Sequence, residues 1–312
     1  MRHAGQSGER ASPSPPPHRV RTAPPISGSP ARPYLLVAPL LAVLLVFVVA
    51  PLAFVVAVSF FHYDNFAIIP AFSFENYADV LTAHLTYELY LTMIWFSALT
   101  WFFTLIIGFT VAYFLVFHVR NPLIAIGLFL VCTVPFWTSN VIRMISWLPL
   151  LGKQGLINNA LLTTGVIRQP LQFLLFSDFS VVVSYVHLFT IFMIVPIFNS
   201  MSRIDRTLFE AAADAGSSRW QTLLYVVVPL CKSGIALGSI FVVTLVMGDF
   251  YVVKVMSGGS RASIVSAMYD DISTLLFPHA AANAVILMII VVIMVSLILR
   301  VVDVRKELAS QR

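Results

Sequence analysis

The chain alternates long apolar stretches with short polar ones. Apolar runs cover about 34–60, 89–117, 123–142, 178–200, 234–252 and 281–301, each near the ~20 residues a helix needs to cross a hydrocarbon layer of ~30 Å. A backbone in lipid must satisfy its own hydrogen bonds, so the pattern predicts an all-α chain with six transmembrane helices. The third run is diluted toward its end by Pro135, Ser139, Asn140 and Arg143. Pro39 and Pro51 fall inside the first run, where neighbouring helices can satisfy the carbonyls they free. That run is too long for the apolar core of a signal peptide and reads as a retained first helix. Residues 1–33, rich in Pro, Ser, Arg and Gly, read as a disordered tail. Residues 34–302 form the membrane domain, and 303–312 a second polar tail.

One polar interruption, residues 202–229, has a pattern of its own. Leu208, Ala211, Ala212 and Ala215 recur at helical spacing, while Arg206, Glu210 and Asp214 fall four apart on a charged face. This predicts a short amphipathic helix. Asp205 or Ser202 can cap its start, and Gly216 can take the left-handed conformation at its end. Ser218-Arg-Trp-Gln221 fits a capping box opening a second helix, and Pro229 lacks the donor to continue it. A DNA-reading helix-turn-helix is excluded, because membrane-length runs flank the unit and leave no room for a duplex. A hairpin packed on its own chain remains the plain alternative to a groove on a partner. The alanine face buries little area alone, at ~25 cal/mol per Å², which favours the groove.

Charge orients the chain. With the N-terminus in the cytosol, every Lys and Arg is cytosolic except Arg143, Lys153, Arg168, Lys254 and Arg261. The loop 61–88 carries Asp64, Glu75, Asp79 and Glu88 without a Lys or Arg, consistent with the opposite side. Both termini and the 202–229 loop then face the cytosol. Composition agrees: 59% of residues are hydrophobic and 11% charged, against about 25% charged in a soluble domain. The net charge of +5 follows sidedness rather than a nucleic-acid-binding patch. Cys132 and Cys231 lack metal-type spacing.

Catalytic chemistry is not visible. Gly152-Lys-Gln154 and Gly258-Gly-Ser260 fall short of a phosphate-cradling P-loop, and no zinc-protease or nucleophile-elbow motif occurs. The chain reads as a transport subunit rather than an enzyme, with no cofactor of its own. His187 stands alone in the fourth run and reads as a hydrogen-bonded packing residue rather than a proton relay. On the lipid side Asp249 would cost about 2.5–3.5 kcal/mol. It should therefore line a path, or satisfy Arg143 or a backbone donor. Trp95, Phe136, Trp137 and Tyr251 could offer ring faces to an ammonium, at about 0.5–2 kcal/mol each, or belong to the interfacial aromatic belt. Residues 150–177 are too short and broken to span, and read as an outer gate helix or as packing.

Glu210-Ala211-Ala212, Gly216 and Val226-x-Val228-Pro229 resemble the E-A-A-x3-G-x9-I-x-L-P loop of binding-protein-dependent ABC importer permeases, with Val replacing Ile and Leu. The spermidine/putrescine-type branch is resembled further in Phe72-Ser-Phe-Glu-Asn76-Tyr77, Pro135-Phe-Trp-Thr-Ser139 with Arg143 and Trp147, Gly155-Leu-Ile-Asn158, Gly248-Asp-Phe-Tyr-Val and Gly258-Gly259. Together these cover about residues 35–305. The resemblance implies that Glu210, Ala211, Ala212, Asp214, Gly216 and Pro229 couple to an ATPase. It also implies two ABC ATPase subunits that bind the ATP, a second permease, an extracytoplasmic binding protein and a multi-pass place in the bacterial inner membrane. Polyamine is the expected cargo, with another cation, an opine-like compound, iron or an anion as alternatives. Asp249, Tyr251, Phe136, Trp137, Arg143 and Trp95 are the candidate path residues. A proton-coupled carrier would be expected to show internal repeats or several buried carboxylates, and the sequence shows neither convincingly.

Overall fold

A computed structural model describes residues 32–64 and 67–302. The expected tails lie outside these residues, except that Arg32 already begins a helix. The chain divides after Pro51 into two units. The first unit holds most of α1, whose membrane-length stretch is Val37–Val58. A wide π-turn, Leu45–Val49, precedes Pro51 in it. There the Ala50 N–H reaches back to Leu45 O, which moves the preceding carbonyls away from a ring that cannot donate.

In the second unit a two-stranded hairpin follows, β1 (His62–Asp64) antiparallel to β2 (Ala67–Ile69), a small departure from the all-α expectation. Next come α2 (Glu75–Thr82) and α3 (His84–His118). The Asn76 amide donates to Ser59 O at 3.0 Å and Phe61 O at 2.9 Å, and the Tyr77 hydroxyl lies 2.6 Å from Ser59 Oγ. These bonds satisfy carbonyls that the end of α1 leaves without helical partners. Then follow α4 (Pro122–Trp137), α5 (Asn140–Ile145), α6 (Trp147–Leu151), α7 (Leu156–Thr163) and α8 (Asp178–Met201). The last group is α9 (Thr207–Asp214), α10 (Arg219–Leu230), α11 (Lys232–Met247), α12 (Tyr251–Met256), α13 (Ile264–Ser273) and α14 (Phe277–Arg300).

By length and composition α1, α3, α8 and α14 can each cross a membrane, and up to six crossings result if each of two bent helix pairs counts as one. In the first pair α4 turns by 94° into the 140–163 segment, and in the second α10 turns by 68° into α11. α3 and α14 start several residues earlier than the sequence expectation, at His84 and Phe277, and two helices stop five residues short of it. α4 stops at Trp137 rather than 142, because Pro135 tightens its last turn into a 3-10 helix and Thr138 becomes extended. α11 stops at Met247 rather than 252, where Gly248 and Asp249 break the helix before α12.

The buried core runs along α8, which packs against both α3 and α11. Small residues set the closeness of the α8–α11 contact. A Cβ on Gly234 would lie 2.5 Å from Pro196 O, and one on Gly238 2.6 Å from the Met193 sulfur. Their four-residue spacing puts both on one face of α11, so the two backbones meet directly. Polar cross-links fix register: the Trp101 indole donates to Ser239 Oγ at 2.8 Å, and the Tyr90 hydroxyl to Asn283 O at 2.9 Å. The 150–177 segment is held by buried Asn158. Its amide donates to Gly152 O and Leu171 O, and its oxygen accepts from Leu171 N–H at 2.7 Å.

Candidate functional site

The 202–230 unit is built from three local stops. Asp205 Oδ1 accepts the Thr207 N–H at 3.0 Å, which opens α9. Those bonds hold the Asp205 carboxyl below its usual range. At the other end Gly216 sits at φ +77°. Its N–H reaches Ala213 O at 2.9 Å, while Ser217 N–H reaches Ala212 O at 2.9 Å. This pair of bonds is a Schellman cap. Ser218 and Gln221 then form the reciprocal capping box that starts α10. Before Pro229, α10 widens into a π-turn at Leu223–Val227, as α1 does before Pro51.

α9 has no buried residue. Glu210, Ala211, Asp214 and Gly216 are exposed, as is Pro229 on α10, while Ala212 is half-buried. A bulky anchor that the alanine pattern hid is Phe209. Its ring packs on Phe117, at the end of α3, with centroids 4.8 Å apart. One edge of α9 is therefore fixed to the bundle and the remainder is free to meet a partner.

A cavity of about 560 Å³ opens between α4 and α8. Its walls are mainly aliphatic and aromatic, Phe136, Val183 and Ile191 among them. Two titratable side chains that carry nitrogen, Arg143 and His187, are among its lining residues, with the Trp147 indole beside them. Arg143, placed on the outer side by charge and diluting the end of the third run, is only 6% exposed. Its Nη2 donates to Asn140 Oδ1, while its Nε has no partner among the described residues. The Trp147 indole donates to His187 Nδ1 at 3.0 Å, which leaves Nε2 as the position for the proton of the neutral ring. Among the described residues no Asp or Glu lines this cavity.

No family model matches the chain. Over 257 residues, 80% of this chain and 90% of the relative, it is 30% identical to the spermidine/putrescine transport system permease protein PotB of Escherichia coli K12. The chain belongs to the PotB family of ABC transporter permeases. The spermidine/putrescine transport system permease protein PotC of the same organism is 28% identical over 104 residues, 33% of this chain and 39% of PotC. A chain from the crystal structure of a bacterial alginate ABC transporter, in complex with its alginate-bound periplasmic protein, superposes with a TM-score of 0.65. That superposition covers 87% of this chain and 95% of the other at 14% identity, and so reports the fold alone.

In this PotB-family permease the residues singled out for a path do not form one cluster. Phe136 and Arg143 line the cavity, whereas Trp95, Trp137, Asp249 and Tyr251 do not. Trp95 and Trp137 are 57% and 85% exposed. Asp249 lies in the break after α11 rather than inside a helix. Its Oδ1 accepts the Val252 N–H at 2.9 Å and the fully buried Tyr185 hydroxyl at 3.1 Å. Of its expected partners, the backbone donor is present and Arg143 is not among its hydrogen-bond partners. His187 has the packing hydrogen bond anticipated for it and also faces the cavity.

Proposed function

We propose that this chain is one of two permease subunits of an ATP-driven importer for spermidine and putrescine in a bacterial inner membrane. In this reading each bent helix pair is one of six crossings, and both termini lie in the cytosol. Two ATPase subunits grip the 202–230 unit, and an extracytoplasmic binding protein delivers cargo. The observation that carries the reading is the build of that unit: capped at three points and anchored through Phe209, yet exposed at Glu210, Ala211 and Asp214. Such a piece transmits a push rather than absorbing it.

When the ATPases close, α9 moves as a rigid body. Phe209 passes the displacement to α3 through Phe117, and α10 passes it to α11 across the bend at Cys231. Those two helices flank α8, so the push reaches the centre of the bundle without a covalent step on this chain. Glu210, Ala211, Ala212, Asp214, Gly216 and Pro229 make up the coupling surface. Asp249 with Tyr251, and Phe136 with Arg143, are the candidate path groups, while Trp95 and Trp137 face outward from this chain.

The cargo assignment follows the spermidine/putrescine names of its relatives. Proteoliposomes carrying this chain with its second permease and ATPases, supplied with the binding protein, should take up labelled spermidine only with ATP. Uptake that persists without the ATPases would remove the importer reading. Absence of a spermidine-induced rise in the binding protein's melting temperature would remove the cargo alone.

A further inference from the structure

A guanidinium in a largely apolar cavity is held at a cost unless an anion meets it. Among the described residues, Arg143 is 6% exposed, its Nε meets no hydrogen-bond partner, and the cavity of about 560 Å³ that it faces is lined by no carboxylate. The neighbouring His187 adds a second N–H at Nε2. Two donors in an apolar slot call for an acid on an apolar stem. We propose that the cavity between α4 and α8 is a socket for an Asp or Glu side chain carried by a membrane-spanning helix of a second, non-identical permease, paired with Arg143. This rests on the two-permease reading above.

Depth selects a protein acid over a lipid. His187 lies roughly 14 Å along α8 from Asp178, and Thr190, Ile191 and Ile194, farther along, also line the cavity. The site is thus well inside a hydrocarbon layer of ~30 Å, below the level of lipid phosphates. A second copy of this chain supplies the acid poorly. Asp178 already pairs with Arg261 at the start of α8, and Asp249 is occupied by Tyr185 and Val252. A polyamine, being a cation, cannot neutralise Arg143. For a polycation path, pairing Arg143 with an acid also hides a charge that would repel the cargo.

Cys132 lines the same cavity and is a free thiol, so proximity can be read without touching Arg143. In the co-expressed importer, single cysteines stepped along the spans of the second permease should form an oxidant-induced disulfide with Cys132 within about one helical turn of one Asp or Glu. Arg143→Glu should lower recovery of the two permeases as a complex by about tenfold or more. Reversing that one acid to Arg should restore recovery, while Arg143→Gln should give an intermediate value.

The proposal is overturned by the absence of any disulfide to Cys132. It is also overturned if Arg143→Glu pairs normally, if no single reversal rescues it, or if Arg143→Gln only strips a bound anionic lipid in native mass spectrometry. Cross-linking is read without cargo, so a failed spermidine assay beside an intact disulfide counts against the cargo and not the socket.

Discussion

At the scale of single residues, Gly216 separates conformation from space. A Cβ there meets nothing within 4 Å, yet φ is +77°, a region that costs most L-residues about 1–2 kcal/mol. Gly216→Asn, which tolerates this conformation, should retain most transport, and Gly216→Val should retain ATP hydrolysis but lose coupled uptake. Equal activity of the two variants would show that the cap is not strained. Asp205 gives the pH counterpart. Its folded-state pKa is depressed by the bonds from Thr207, so its contribution to the start of α9 is present above the ordinary carboxylate value and lost as pH falls through the lower one. Protection of the Thr207–Glu210 amides from hydrogen exchange should be flat from about pH 7 to about pH 5 and fall only below about pH 4, whereas Asp205→Asn should remove that acid limb. At Asp249 the carboxylate oxygen is used as an acceptor. Asp249→Asn keeps an acceptor and should leave the yield of folded protein unchanged, while Asp249→Ala strands the Tyr185 hydroxyl and should cost about 1–3 kcal/mol. Thermal unfolding of the detergent-solubilised importer would rank the two.

At the scale of elements, the α8–α11 contact depends on which atom a new methyl group meets. At Gly234 that atom is a backbone oxygen, Pro196 O, which cannot move without displacing α8. At Gly238 it is the sulfur of Met193, the flexible part of a side chain, although the Met193 Cα lies behind it at 3.2 Å. Gly234→Ala should therefore destabilise the chain by about 1–3 kcal/mol and Gly238→Ala by less, measured as the loss of melting temperature. The same contrast explains what the sequence could disclose. Asp205, Gly216 and the Ser218–Gln221 pair act on backbone groups a few residues away, so their roles were readable from spacing. Phe209 on Phe117, Tyr185 on Asp249 and Trp147 on His187 join residues far apart in the chain. No local pattern announces them. The ends of α4 and α11 were hidden for a different reason: apolar residues resume after each short polar break, at Val141-Ile142 and at Phe250-Tyr251-Val252, so averaged hydropathy runs on past the point where the helix stops.

At the scale of the whole molecule, sequence pattern settled the class of chain more securely than its path. Membrane-length runs and one capped polar unit were legible because both are properties of composition and local chemistry, whereas the permease family rests on the resemblance of that unit's residues and on the relatives. The candidate path scattered, with Trp95 and Trp137 exposed and Arg143 buried in a cavity lined by no acid among the described residues. A path shared by two permeases is only half encoded in either chain. The orientation assigned from Lys and Arg can be tested on that whole. The 202–230 unit and the α2 segment must lie on opposite faces if, as proposed, the ATPases are to reach Asp214 while the binding protein approaches Asp79. Both positions are exposed, so cysteines placed there should react with a membrane-impermeant maleimide. In a chain with Cys132 and Cys231 replaced by Ser, Asp79→Cys should label in intact spheroplasts, and Asp214→Cys only in inside-out vesicles. ATPase added to those vesicles should then protect Asp214→Cys. Labelling of Asp214→Cys from the outside would place the unit beyond reach of ATP and end the importer reading. Correct sidedness without protection would instead leave the topology standing and move the motor's contact elsewhere on the cytosolic face.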